Sequence, residues 1–204
     1  MARVCERVDR HRKGLSTVLA VTAFAAALLG RSSWPAQTPA HEAIETLGFL
    51  LLALCVAGRV VSTIYIGGRK NGEIVRLGPY SVVRNPLYAC SVLGFAGLGL
   101  SVGSLAIGIA SGAALFLLYS AVVRAEEARL LGHFGGSYRA YLDEVPRWIP
   151  DFSLWREAER TEVMPGLVQR TLWEGIGLLV LALLIKALEQ GQLFGLLPML
   201  VNLP

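Results

Sequence analysis

The sequence predicts an all-α integral membrane protein with about five transmembrane helices. Three observations support this class: 54% of the 204 residues are hydrophobic, several apolar runs are long enough to cross a bilayer, and basic residues cluster in alternate connecting segments. A hydrocarbon core of ~30 Å needs about 20 helical residues, because each residue adds ~1.5 Å along the helix axis.

The apolar runs define the five predicted spans. The first is Gly14–Gly30, and the second lies within Ala43–Gly67. The uncharged stretch from Asn85 to Val123 would measure ~58 Å as a single helix, about twice the bilayer thickness. It must therefore fold back, and we expect the turn at Ser101–Ser104, which gives spans three and four. Thr171–Leu188 is the fifth span.

Lys and Arg concentrate in three segments that five crossings place on the same side of the membrane. The amino-terminal tail holds five of them, residues 68–84 hold four, and residues 124–170 hold seven. Short cytoplasmic loops are enriched in Lys and Arg. We therefore expect all three segments to be cytoplasmic in an inner or plasma membrane. The net charge of +4 fits this topology and anionic headgroups, and it requires no nucleic-acid partner.

Cysteine and histidine usage favours neither a disulfide framework nor a metal site. The three cysteines and three histidines lack any paired spacing, so we expect no metal partner and isolated histidines at the surface or the membrane interface. These residues are Cys5, Cys55, Cys90, His11, His41 and His133. Lys186, inside the fifth span, is expected to extend its ammonium group to the interface.

Two polar segments bracket the predicted hairpin. A helical hairpin returns its chain to the face it left, so residues 72–88 and 124–150 are expected to lie close together and build one site. In the first segment, Pro79 and Pro86 disfavour helix before them and predict a rigid irregular loop.

The second segment predicts an amphipathic helix at the membrane surface, interrupted near Gly135 and Gly136. Its apolar residues recur at steps of three and four and form one stripe, namely Leu130, Phe134, Tyr138, Tyr141 and Val145. Adjacent Glu126 and Glu127 stand just past span four, where a carboxylate is costly unless it meets a cation or water. Adjacent helical positions point about 100° apart, so one can face inward and the other outward; a solvated pair is the alternative.

Four motifs in order resemble the isoprenylcysteine carboxyl methyltransferase family. They are GPYSVVRNPLY at 78–88, EEARLL at 126–131, FGGSYRAY at 134–141 and VPRWIP at 145–150. Related membrane methyltransferases that act on phospholipids share much of the pattern. The resemblance covers about residues 60 to 150. It implies S-adenosylmethionine bound in a pocket at the cytoplasmic face, and an acceptor whose lipid tail enters from the bilayer.

The resemblance also implies which residues bind the cofactor. Asn85 stands where family members usually have histidine, but its amide can still donate and accept hydrogen bonds. A glutamate suits the ammonium group or the ribose, and Arg84 or nearby backbone N–H groups suit the carboxylate. Tyr80 or Tyr88 can pack on the adenine or near the sulfonium. The expected set is Glu73, Ile74, Val75, Tyr80, Arg84, Asn85, Pro86, Leu87, Tyr88, Glu126 and Glu127.

Three arginines are candidates for handling the methyl acceptor. Arg147 or Arg124 can orient a carboxylate or phosphate, and Arg59, inside span two, can line the lipid entrance; each can instead be a headgroup-binding or snorkelling arginine. No side chain is clearly set aside as a base for an amine, which favours an oxyanion acceptor. Small residues at Gly94, Gly97 and Gly99 leave room for a lipid tail or serve close helix packing.

The sequence divides into three regions. Residues 1–66 hold the tail and spans one and two, residues 67–150 hold the methyltransferase core, and residues 151–204 hold a cytoplasmic linker and the carboxy-terminal helix. The favoured function is methylation of a lipid-like acceptor such as a prenylcysteine-type carboxylate. Methylation of a phospholipid headgroup amine and a non-catalytic membrane protein that retains the scaffold are the alternatives.

Overall fold

The structure is a computed structural model that describes residues 30–32, 38–69, 72–193 and 201–203. Six α-helices account for most of the described residues: α1 (Pro39–Ile66), α2 (Pro79–Val82), α3 (Pro86–Leu100), α4 (Leu105–Phe134), α5 (Gly136–Glu144) and α6 (Pro165–Leu193). A 3₁₀ turn spans Phe152–Leu154. Two strands of three residues, β1 (Gly30–Ser32) and β2 (Val201–Leu203), pair in parallel with Gly30 opposite Val201. The predicted helical class is confirmed, apart from this short ladder.

Proline begins four of these helices, namely α1, α2, α3 and α6. Proline fixes φ near the helical value and lacks the backbone N–H that a first-turn residue would leave unpaired. The helix starts at residues 39, 79, 86 and 165 are therefore encoded locally.

Three of the described helices are long and apolar enough to cross a membrane: α1, α4 and α6. The shorter apolar helix α3 has 15 residues and reaches only ~22 Å, less than the ~30 Å of a hydrocarbon core. The predicted first span, apart from Gly30, lies outside the described residues. The expectation of an integral membrane protein therefore holds, while the number of five spans is not confirmed.

Both predicted interruptions of the helical chain are confirmed. Residues 101–103 form the turn between α3 and α4, so the uncharged stretch folds back where the sequence indicates. Gly135, at φ 57°, separates α4 from α5. The 30 residues of α4 reach ~45 Å, so this helix is longer than a bilayer is thick and carries Glu126 and Glu127 on its last turns.

The chain forms two compact units, and the first comprises the described residues within 1–52, 95–115 and 178–204. Its core consists of Leu52, Leu98, Val102, Ala182 and Ile185, with Phe49 and Leu178 packed against them. The helices approach closely at Gly97, where an added Cβ would lie 2.6 Å from the carbonyl oxygen of Gly48.

Neighbouring atoms also occupy the space beside the other two glycines that were considered for a lipid tail. In the first unit, an added Cβ at Gly99 would lie 2.6 Å from the hydroxyl oxygen of Ser111. In the second unit, an added Cβ at Gly94 would overlap the Cys55 sulfur. The small residues thus serve close helix packing, and the suggestion that they leave room for a tail is wrong.

The second unit comprises the described residues of 53–94 and 116–177. Its core around α5 holds buried Tyr138, Tyr141 and Val145, with Leu130 and Phe134 packed against them. These are the five residues of the predicted apolar stripe, which is therefore confirmed as one packed face.

Candidate active site

The polar loop that precedes α3 comprises residues 77–85 and includes the short helix α2. Hydrogen bonds attach it to the segment that follows α5, residues 145–156. Three backbone N–H groups donate across this junction: Gly78 to the carbonyl of Arg156 (2.7 Å), Arg84 to that of Pro146 (2.8 Å) and Asp151 to that of Val82 (2.9 Å). The Tyr141 hydroxyl donates to the Tyr80 carbonyl at 2.8 Å. The two polar segments predicted to share a site do lie together in the second unit.

Glu127 joins the two segments through an ion-pair triad, Arg84–Glu127–Arg147, in which the carboxylate is buried and Arg147 is partly exposed. Glu127 is 6% exposed. Arg84 Nη1 donates to Glu127 Oε1 at 3.1 Å. Arg147 binds the same carboxylate in a bidentate manner, with Nε to Oε1 at 3.2 Å and Nη2 to Oε2 at 2.6 Å. Such charge-assisted, two-point pairs fix geometry as well as charge.

The triad carries two positive charges and one negative charge, so its net charge is positive. Arg84 Nε is buried and has no hydrogen-bond partner among the described residues. The Arg147 side chain is 38% exposed and is therefore accessible to a ligand. An uncompensated guanidinium charge in a partly buried position favours binding of an anion.

Glu126 has different surroundings from Glu127, although both belong to α4. Its Oε2 accepts a hydrogen bond from the Tyr88 hydroxyl at 3.0 Å. The Tyr88 ring packs on the Tyr119 ring with centroids 4.8 Å apart. The Glu126 side chain is 21% exposed, against 8% for Glu127. The predicted difference in orientation between the two carboxylates is therefore present, with Glu127 buried and Glu126 closer to solvent.

Three buried tyrosines surround the loop and the triad. Burial raises the pKa of Tyr138 to about 12 and raises the pKa values of Tyr80 and Tyr141 as well. Their hydroxyls therefore stay protonated at neutral pH. The Tyr80 hydroxyl is buried and lacks a hydrogen-bond partner among the described residues, which leaves a polar group available to a bound molecule.

An open cleft of about 520 Å³ lies beside Arg84. Its other walls are residues 142–146 and 149–152, which carry three carboxylates, Asp143, Glu144 and Asp151. Binding sites for small molecules commonly have ~300–1,000 Å³, so the cleft has a suitable size. It offers cationic and anionic groups to one ligand.

The remaining predicted cofactor residues fall into two groups. Asn85 lies at the site, where its Nδ2 donates to the Arg147 carbonyl at 3.4 Å, and Pro86 and Leu87 follow as the first residues of α3. The other group precedes the loop. Glu73 pairs with Arg69 at 3.4 Å, Ile74 packs against the tyrosine cluster, and Val75 is partly buried.

The structure separates the three candidate arginines. Arg147 belongs to the triad. Arg59, on α1, donates to Ser91 Oγ at 2.6 Å and to Glu174 Oε2 at 2.8 Å, apart from the triad. Arg124 is exposed on α4, and no ion pair or hydrogen bond links it to the triad within the described part of the chain.

Sequence reasoning missed Arg156. Its backbone N–H donates to the Ser81 hydroxyl at 3.0 Å, its carbonyl accepts from Gly78, and its side chain pairs with Glu144. It fixes the loop through its main chain, which any residue type could do. No sequence signal marks such a role.

One expectation for a polar residue in the first unit was wrong. His41 is not at a surface: it is 2% exposed, with Nε2 3.2 Å from Glu45 and 3.1 Å from Glu189. Lys186, expected to extend its ammonium group to the interface, pairs that group with Glu45 and Glu189. The scattered spacing of the histidines therefore gives no argument against a metal site at His41.

The sequence model of the phospholipid methyltransferase family matches residues 46–137. Protein-S-isoprenylcysteine O-methyltransferase of Schizosaccharomyces pombe is 32% identical over 114 residues, which are 52% of this chain and 48% of that protein. Through residues 46–137, the chain is thus related to this family of membrane methyltransferases.

Two relatives match over almost their whole length. The nickel-cobalt-cadmium resistance protein NccN of Alcaligenes xylosoxydans xylosoxydans is 33% identical over 97% of this chain and 92% of its own. The cobalt-zinc-cadmium resistance protein CzcN of Cupriavidus metallidurans is 34% identical over 96% of this chain and 90% of its own. No solved structure gives a significant match.

Proposed function

We propose that the chain is an S-adenosylmethionine-dependent methyltransferase that methylates an oxyanion on a lipid-like acceptor, with its site on the cytoplasmic face of the membrane. The observation that carries the proposal is the Arg84–Glu127–Arg147 triad, whose members come from three of the four motifs that resemble the family. The triad holds a net positive charge beside a cleft of suitable size.

The side chains present fit the cofactor. S-adenosylmethionine carries an ammonium, a carboxylate, a sulfonium and an adenine, and each needs a partner at a desolvated site. Glu126 supplies a partly exposed carboxylate for a cation. Arg84 supplies an unpaired Nε for an anion, and the Tyr80 hydroxyl supplies a free polar atom. Tyr88 donates to Glu126 and Asn85 donates to the Arg147 carbonyl, so both lie beside these groups.

Methyl transfer requires alignment more than acid–base chemistry. When bound, S-adenosylmethionine supplies an electrophilic methyl group on its sulfonium. Arg147, which is partly exposed and fixed by Glu127, is suited to hold the acceptor oxyanion in line with that methyl group. An anionic oxygen needs no base, and the tyrosines remain neutral because their pKa values are raised. Arg59, bound to Ser91 and Glu174, is proposed to line the path of the lipid tail.

Product chemistry tests this proposal and separates it from the two alternatives. Purified protein is incubated with methyl-labelled S-adenosylmethionine and a native lipid extract, and the lipid phase is treated with mild alkali. We expect label in the lipid phase that alkali releases as methanol, because esters hydrolyse. Alkali-stable label would assign the reaction to a headgroup amine, and absence of labelled lipid would support a non-catalytic scaffold.

We further propose that the reaction contributes to resistance to divalent metals, because two relatives of matching length carry names for resistance to nickel, cobalt, zinc and cadmium. A strain lacking the protein should grow poorly on these metals, and wild-type protein should restore growth. Arg147→Gln should not restore it. Full rescue by that variant would show that resistance does not depend on the proposed active site.

A further inference from the structure

A buried histidine and two glutamates converge in the first unit, in what we term the histidine–glutamate cluster: His41, Glu45 and Glu189. His41 and Glu45 lie in the first two turns of α1, and Glu189 lies near the end of α6. One ligand atom from each residue lies within 4.8 Å of the others. We propose that this cluster binds a divalent transition-metal ion of the Zn²⁺ type.

His41 is the observation that points to a ligand. Its side chain is 3% exposed, and neither ring nitrogen has a hydrogen-bond partner among the described residues. Nε2 lies 3.2 Å from Glu45 Oε1 and 3.1 Å from Glu189 Oε1. These are hydrogen-bond distances without hydrogen-bond geometry, so the nitrogen faces two carboxylates and donates to neither. A buried polar group left in this way is costly.

The distances fit ligands around a shared cation. Zn²⁺ binds histidine nitrogen at ~2.0–2.1 Å and carboxylate oxygen at ~2.0–2.2 Å, so two ligands of a tetrahedral site stand about 3.3–3.5 Å apart. The nitrogen-to-oxygen distances of 3.2 Å and 3.1 Å are within a few tenths of an ångström of this value. One imidazole and two carboxylates are a donor set for a borderline ion and leave a fourth position for water.

The surroundings hold the histidine ring in place. Gly103, in the turn between α3 and α4, lies against the ring, and a side chain there would overlap it. A ligand held in one orientation loses little conformational freedom when an ion binds. The backbone of the turn thereby prepares His41 for coordination.

Lys186 provides the positive charge while no ion is bound. Its ammonium group contacts Glu45 Oε1 and lies 3.2 Å from Glu189 Oε2. Two carboxylates against one ammonium leave a net negative charge, which attracts a cation. The Lys186 side chain is 28% exposed, so it can turn toward solvent when the ion takes its place. Lys186 and the metal ion therefore compete for the same oxygens.

Zinc titration of the full-length protein in detergent or nanodiscs tests the site, with Co²⁺ absorption as a reporter of coordination. We expect one Zn²⁺ per chain and a Co²⁺ spectrum typical of a low-coordinate nitrogen–oxygen site. His41→Gln should weaken binding by roughly 100-fold. His133→Gln is the matched control, because His133 is an exposed histidine, and should bind as wild type does.

Two further variants keep the test decisive. Lys186→Met should bind Zn²⁺ roughly tenfold more tightly, because it removes the competing cation, whereas a purely structural ion-pair network predicts a less stable protein that zinc does not rescue. Glu189→Gln replaces His41→Gln if that variant does not fold. The proposal is overturned if folded wild-type protein does not bind Zn²⁺ below millimolar concentrations, or if binding is unchanged in the His41 and Glu189 variants.

Discussion

At the scale of single residues, the adjacent Glu126 and Glu127 have different surroundings. Glu127 is surrounded by Arg84 and Arg147 and is hardly exposed. Glu126 accepts from Tyr88 and keeps part of its surface open. Glu127 compensates one of the two guanidinium charges and so reduces the repulsion between Arg84 and Arg147. Glu126 is the better partner for a cationic part of a ligand.

The two carboxylates can be tested separately. Glu127→Gln should lower stability by about 3–5 kcal/mol, because it breaks a buried ion pair and leaves two arginines uncompensated. Glu126→Gln should retain stability and weaken binding of S-adenosylhomocysteine by roughly 10- to 100-fold, since a hydrogen bond to a charged group contributes ~1.5–3 kcal/mol. Thermal melting and calorimetry measure both quantities. If the two substitutions changed stability equally and changed S-adenosylhomocysteine binding equally, the distinction between Glu126 and Glu127 would be contradicted.

At the scale of elements, the loop before α3 owes its shape to Gly78 and to bonds from distant main chain. Gly78 has φ 57° and ψ −133°, a region that side chains avoid, and an added Cβ would meet the Tyr65 ring. Its N–H donates to Arg156. A single residue thus sets both the turn and the attachment of the loop.

Gly78→Ala should therefore destabilise the protein by ~1–3 kcal/mol from backbone strain, and the clash with Tyr65 adds to this. Methyl transfer should fall with it, because the loop carries Arg84. Gly136→Ala is the matched control, since its Cβ would have open space around it. Melting temperature and activity unchanged in the Gly78 variant would show that the loop tolerates another conformation.

The elements also show why sequence predicted some features and missed others. The fold-back at residues 101–103 and the break at Gly135 are encoded by residues at those points, so the sequence indicates them. The helix starts at prolines are also encoded locally but were not predicted, because spans two and five were placed from Ala43 and Thr171, inside α1 and α6. The triad depends on Arg84 and Arg147 meeting Glu127 across three motifs. The motifs named these residues, but nothing local could show that one carboxylate binds both arginines.

At the scale of the whole molecule, the same limit applies to His41. Glu45, one of the two carboxylates that face it, is four residues away, but Glu189 comes from α6 near the other end of the described chain. Spacing along the chain therefore could not reveal the cluster. A lone histidine in an apolar run predicts an interface position by composition alone. In the structure, packing of α1 against α6 within the first unit gives His41 a buried, charged environment instead of the predicted interface position.

Membrane topology is a further prediction at this scale. The density of Lys and Arg predicts that residues 68–84 and 124–170 lie on the cytoplasmic side. Cysteines introduced at Gly72 and Ala140 should both react with an impermeant reagent from the cytoplasmic side, after Cys5 is replaced by serine. Both positions belong to the second unit. Labelling from opposite sides would separate the two motif segments and remove the basis for a shared site.

The central claim is that Arg147 of the triad holds the methyl acceptor, and the rate of methyl transfer in variants of two arginines tests it most directly. Arg147→Gln and Arg124→Gln make the same chemical change, one inside the triad and one at an exposed position on α4. Single-turnover transfer to lipid, measured with both proteins saturated with cofactor, should fall roughly 100-fold or more in the Arg147 variant, because oriented charge at the reacting group is lost. The Arg124 variant should retain nearly the wild-type rate. An unchanged rate in the Arg147 variant, or an equal loss in both, would contradict the account.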